Sequence, residues 1–186
     1  MALTKLNNQS LTAVTSAGIP IRSGTVLQVQ STTDNTEISF NCGTTPYNYS
    51  QLNTTITPIN TNSKILVQLN FGCLQFGGND SSLGYGKVMF NTGSDTDLPS
   101  GLLGVNNVPN SNKMQWGINL ELGEWQGMTP SMSFIHSPST TNSIIYKTFF
   151  WGEQASANIK INRTYRNSDN RDYSAIATMV LMEIAG

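Results

Sequence analysis

From residue 25 onward, apolar and polar residues exchange at every second position through run after run, the period of a strand with one buried face. KILVQLNFGCLQF, residues 64–76, is the clearest case. Ile65, Val67, Leu69, Phe71 and Cys73 share one face, against Lys64, Leu66, Gln68, Asn70 and Gly72. A helix over the same residues would bury Gln68 or Asn70 with them, so the strand reading prevails. TVLQVQS sets Leu27 and Val29 against Gln28 and Gln30. EISFNC aligns Ile38, Phe40 and Cys42, and QLNTTITP aligns Leu52, Thr54 and Ile56 ahead of Pro58. LGYGKVMF, NKMQWGINLELGEW, SMSFIHS, SIIYKTFFW, ANIKINR and SAIATMVLMEIA continue the series. About ten short strands and no convincing helix predict an all-β fold, a jelly-roll-like antiparallel β-sandwich.

Two of these segments carry hydrocarbon on both faces. SIIYKTFFW has large apolar groups at odd and even positions. In the last segment Ile176, Thr178, Val180, Met182 and Ile184 form one face, and Ala177, Met179 and Leu181 the other. One face can fill a core; the second needs another layer. A thick sandwich of one chain would supply that layer; the reading preferred is a neighbouring subunit, with an interface at Ile145, Phe149, Trp151, Met179 and Leu181, most simply in a closed homotrimer. Residues 1–24 form a separate unit: Leu3, Leu6 and Leu11 follow no period, and Gly18, Pro20 and Gly24 punctuate its end. They are expected to be an arm that docks on a partner, ahead of a sandwich domain over residues 25–186. Residues 91–111 are expected to be a long loop.

Composition narrows the function. Charged residues are 11% of the chain, against the usual share of about 25%, while Ser, Thr and Asn are dense. Such residues suit strands and turns. The net charge of −1 and a pI near 5.7 provide no basic field for nucleic acid or for a membrane surface. No apolar run is long enough to span a bilayer, and MALTKLNNQS lacks the pattern of a signal peptide, so synthesis in a cytoplasm is expected. Cys42 and Cys73 both fall on apolar alternation, which favours buried free thiols over a disulfide.

The candidate chemistry is sparse. His136 is the single histidine, and no G-x-S-x-G elbow accompanies it, so it is expected to be a loop or interface residue. One His and two apolar-face Cys do not make a zinc site. Asp80, Asp95 and Asp97 match no calcium-loop spacing, and no Gly-rich phosphate loop occurs. Glu121 and Glu124 could pair as glycosidase carboxyls only by proximity, and three apart on a strand they point to opposite faces. The expectation is no catalytic residue, no metal and no cofactor. Binding is better supported. Trp125, between Gly123 and Gly127, is a stacking candidate, and Arg163, Tyr165, Arg166, Arg171 and Tyr173 form the only dense cationic–aromatic cluster.

Three stretches, the start MALTKL, the segment SFIHSPSTTNSIIYK and the end INRTYRNSDNRDYSAIATMVLMEIAG, resemble a family of tail-fibre-like virion structural proteins of tailed, marine and cyanobacterial bacteriophages. TITPINTNSKILVQL is similar to that family's strand–turn–strand segment. The resemblance covers most of the chain in order. His136 departs from it, standing where an acidic residue is expected, and the 91–111 loop is particular to this chain. The resemblance implies a virion surface protein, trimeric, that binds a host surface glycan or protein. The arm 1–24 would then dock on other virion proteins of the tail or capsid. A head decoration protein without a receptor is the alternative expectation, and a polysaccharide depolymerase the second.

Overall fold

A computed structural model of the chain describes residues 22–77, 84–99, 116–118, 127–152, 155–164 and 175–186. These residues contain antiparallel strands and no α-helix. In chain order the strands are β1 (Val26–Asp34), β2 (Ile38–Asn41), β3 (Tyr47–Asn48), β4 (Thr54–Ile56), β5 (Lys64–Phe71), β6 (Leu74–Gly77), β7 (Gly84–Asn91), β8 (Asp95–Asp97), β9 (Trp116–Ile118), β10 (Ser131–His136), β11 (Ile144–Gly152), β12 (Asn158–Ile161) and β13 (Ala177–Ile184). They form three sheets. One has the order β1-β13-β5-β10. The second runs β3-β11-β7-β8, with β4 also on β11 and β9 also on β7. The third is β2-β12-β6. Several antiparallel sheets around one core are consistent with a β-sandwich.

The core is built by the alternation read from the sequence. Ile65, Val67, Leu69 and Phe71 of β5 are all buried, as are Ile144, Tyr146, Thr148 and Phe150 of β11. The two larger sheets meet through rings. Phe71 packs edge-on against Phe150 with centroids 5.5 Å apart, and His136 of β10 lies 4.6 Å from Phe90 of β7. Burying one such side chain contributes roughly 1.5–3 kcal/mol.

The apolar run 64–76 is not one strand. It divides at Gly72 into β5 and β6, which belong to different sheets. A Cβ on Gly72 would stand 2.8 Å from the Ala175 Cβ and 2.9 Å from the Ile176 carbonyl oxygen. The absence of a side chain lets the start of the last segment pass there, and Gly72 donates its N–H to Ile176 O at 3.0 Å. The expected loop 91–111 also holds order: Asp95–Asp97 folds back on β7 as β8. In β1 the pairing shifts between Val26 and Gln28. That irregularity turns Gln28 inward towards Glu183 and leaves Val26 and Val29 on the outer face.

The predicted subunit interface needs correction. Met179 and Leu181 are 0% exposed, and Phe149 and Trp151 are 8% and 5% exposed, all within a single chain. The odd-numbered face of β13 is the core face, in phase with Ala177 and the fully buried Glu183. On β11 the reverse face is closed by the chain itself: Tyr85 stacks on Trp151 at 5.6 Å, and the Lys87 ammonium lies 5.9 Å from its ring. Of the five residues, Ile145 alone is half-exposed.

Candidate binding loop and its base

The cationic–aromatic loop leaves β12 at Asn162 and returns to β13 at Ala175. Trp125, Tyr165, Arg166, Arg171 and Tyr173 lie outside the described residues, as do Leu3, Leu6 and Leu11 of the arm and Glu121 and Glu124. The base of the loop is described, and it is closed. Ala175 N–H donates to Asn162 O at 3.1 Å, and Asn162 N–H donates to Cys73 O at 2.9 Å. Arg163 is half-buried; its Nε–H donates to Thr164 O at 3.2 Å, and its own carbonyl accepts from the Cys73 thiol at 3.2 Å.

Asn162 is the pivot. It takes φ of +61°, in the left-handed region that Asn tolerates better than most residues. Its side chain is fully buried, and Nδ2 donates to Asp34 O at 2.8 Å and to Thr36 O at 3.1 Å. The Asp34 carboxylate in turn accepts from the Tyr49 hydroxyl and, at 3.0 Å, from the Thr36 N–H. Burial alone would raise the Asp34 carboxyl, but the bonds from Tyr49 and Thr36 outweigh it and hold the group below its ordinary value. Burial, with the bond to Asp34 and its charge, pushes the Tyr49 hydroxyl far up, so it stays a donor. Asn162 is thus fastened to the end of β1, and Ala175 is fastened to Asn162.

A second polar network joins two segments far apart in sequence. Glu183 is fully buried on β13. Its carboxylate accepts from Gln28 Nε2 at 2.6 Å and from Ile59 N–H at 2.7 Å. Burial on its own would raise the Glu183 carboxyl. Ser63, Gln28 and the backbone of Ile59 and Asn60 surround it and hold it lowered. The turn between β4 and β5 is in this way fastened to the last strand.

The outer face of the second sheet is laced with charge. Lys87 pairs with Asp97 at 2.8 Å and Lys147 with Asp95 at 2.7 Å. Lys147, with Asn91, lowers the Asp95 carboxyl. His136 is not at the surface, contrary to the loop or interface expectation. It is 2% exposed, with Nδ1 2.8 Å from the Tyr146 hydroxyl. Burial lowers its imidazole and raises the Tyr146 hydroxyl.

Cys42 and Cys73 are free and buried, as the alternation suggested. Burial pushes the Cys42 thiol up to about 11 and raises Cys73 as well, so neither favours the thiolate needed for nucleophilic or redox work. Among the described residues, no group of three His, Cys, Asp or Glu side chains could hold a metal ion. No helix of the described residues is long and apolar enough to cross a membrane.

Neither a protein-family model nor a curated protein matches this chain. Sequence reasoning missed Asp34, Tyr49, Asn162 and Glu183. For Glu183 a signal was present: a carboxylate in phase with Ala177, Met179 and Leu181 must be either exposed or well partnered.

Proposed function

We propose that this chain is a bacteriophage virion structural protein, tail-fibre-like and exposed on the particle, in which a jelly-roll-like sandwich assembles as a homotrimer and offers loops to the host surface. One observation carries this reading. Apart from MALTKL, which lies outside the described residues, the stretches that resemble the phage family pack into neighbouring strands. TITPINTNSKILVQL supplies the β4–β5 turn and β5. The C-terminal stretch supplies β13, whose Glu183 accepts from the Ile59 N–H in that turn. SFIHSPSTTNSIIYK supplies most of β10, hydrogen-bonded to the far side of β5, and the first four residues of β11. Family-like segments that form one framework support a shared fold more than turn chemistry alone does.

The charge-poor, Ser/Thr/Asn-rich composition suits a rigid extracellular particle, and the anchored Asn162–Ala175 loop is the place for contact with a surface glycan or protein. The Arg and Tyr side chains there would stack on sugar rings or donate to acidic groups. Gold-labelled antibody against the purified chain, imaged on intact particles, tests the reading. Label at the tail tip supports it. Label on the head replaces it with a decoration role, and no label on particles rejects it.

A further inference from the structure

The two large sheets finish their outer faces differently. The six-stranded sheet closes its own: Lys87, Asp95, Asp97 and Lys147 pair across it, over Phe149 and Trp151. The four-stranded sheet has no such cover among the described residues. Its registers set Val29 opposite Met182, Met182 opposite Leu66, and Leu66 opposite Ile135. These four side chains form one apolar row across all four strands. Val29 and Ile135 are 51% and 48% exposed, and Met182 and Leu66 are half-buried by their neighbours. Val180 and Ile184 extend the row along the central strand, one position to each side on the same face. Val26 stands opposite Ile184 at the sheet edge; beyond these the face turns to Ser, Thr, Gln and Asn, and Lys64 at one border is the face's one charge among the described residues of its strands.

We infer that this face is the surface through which copies of the chain pack on one another, its occupant being the same face of a second copy. The inference rests on the self-assembling reading above, but a face that meets the same face of another copy closes a two-fold dimer, so it sets a dimer in place of the homotrimer. Size and charge argue for this occupant. Four strands about 4.8 Å apart, with eight residues rising about 3.3 Å each, project roughly 500 Å². Side-chain relief raises the accessible area above that projection, towards the ~800 Å² that each partner gives to a standard interface. Two copies stacked by this face bring no like charges together near the row, since Lys64 lies at the border. The face also offers a differently charged partner almost nothing to read. Aligned sheets pack about 10 Å apart, the spacing at which Met182 and Leu66 interdigitate with their counterparts. The predicted need for a second layer is thus met on the even-numbered face of β13 and not on the face of Met179 and Leu181.

The test is light scattering on the purified full chain at micromolar concentration. Leu66→Arg and Met182→Lys are compared with Ile59→Lys, which changes an exposed apolar residue in the β4–β5 turn. Leu66 and Met182 are partly open, so a long cation there can reach water in the lone chain. Wild type and Ile59→Lys should run at the mass of a dimer, and a wild-type trimer overturns the face-to-face pairing. The two face variants should weaken association by about 100-fold or more, as loss of a central hot spot does, and run at the mass of one chain with unchanged circular dichroism. If a face variant fails to fold, Ile135→Cys replaces it: a bis-maleimide should link copies of that variant and not copies of Ile59→Cys. An oligomer that survives both folded face variants, or an Ile135→Cys chain that does not link, overturns this surface and leaves the homotrimer standing on another. A wild-type monomer overturns both. So does a chain that becomes oligomeric only when residues 1–21 are removed, since the arm would then be the occupant.

Discussion

At the scale of single residues, polar groups inside the core do the positioning, and their titration makes this measurable. Glu183 has a lowered folded-state pKa, so its contribution is complete above the unfolded value of about 4.3 and is lost as pH falls through the folded one. Glu183→Ala leaves the Ile59 N–H and the Gln28 amide without their acceptor, at a cost of roughly 2–3 kcal/mol at neutral pH in urea unfolding. Glu183→Gln should be milder, and it should flatten the acid limb of stability below about pH 4. An unchanged acid limb would remove Glu183 from this role. His136 works in the same direction at higher pH. Its folded pKa is lowered by burial, so the neutral ring is the one that folds. Stability is full above the unfolded value of about 6.5 and declines as pH falls below it. Since the chain has one histidine, a single imidazole resonance in a proton–nitrogen NMR titration reports it. A midpoint at or above 6.5 would contradict the buried Tyr146-bonded geometry.

At the scale of elements, strand identity was legible and strand orientation was only partly so. Period-two alternation in KILVQLNF requires one buried side, and Ile65, Val67, Leu69 and Phe71 are that side. β13 defeats the same rule, because both of its faces are apolar. Glu183 lies on the odd-numbered face and is fully buried. The partners that permit its burial, Gln28 and Ile59, lie more than a hundred residues away and are not visible from local pattern. Gly72 was ambiguous for a similar reason: glycine within an apolar run fits a continuous strand as well as a break. What makes it a break is the approach of Ala175 and Ile176, a tertiary fact. The base of the Arg–Tyr loop was illegible apart from Arg163, since Asp34, Tyr49 and Asn162 converge from three separate segments. Gly72→Ala tests the element-level account. The added methyl meets backbone on one side and the Ala175 methyl on another, so it should cost roughly 1–3 kcal/mol, the usual range for overpacking. Faster amide exchange at Ala175 than at mid-β5 positions should accompany it. A variant as stable as wild type would show that the crossing yields cheaply.

At the scale of the whole molecule, hydrogen bonds reach back past the boundary that glycine punctuation suggests. The sequence set the boundary after Gly24. In the structure Gly24 N–H donates to Ala185 O at 2.8 Å, Ala185 N–H to Thr25 O at 2.8 Å, and Thr25 N–H to Arg22 O at 3.0 Å. Gly24 and Thr25 thus extend the β1–β13 ladder past its last paired residues, and a turn ties Arg22 to them. Deleting residues 1–21 leaves every one of these bonds in place, so the melting temperature should stay within about 2 °C of wild type. Deleting residues 1–24 removes the bonds of Arg22 and Gly24 and exposes the end of β13. At about 1 kcal/mol for each lost bond, the melting temperature should fall by several degrees. The same pair of variants separates folding from mounting. If the arm docks the domain on the virion, the chain lacking residues 1–21 should be folded, keep its mass in solution and be missing from purified particles when it alone is supplied during infection. Incorporation at wild-type levels would place the docking contact on the domain itself.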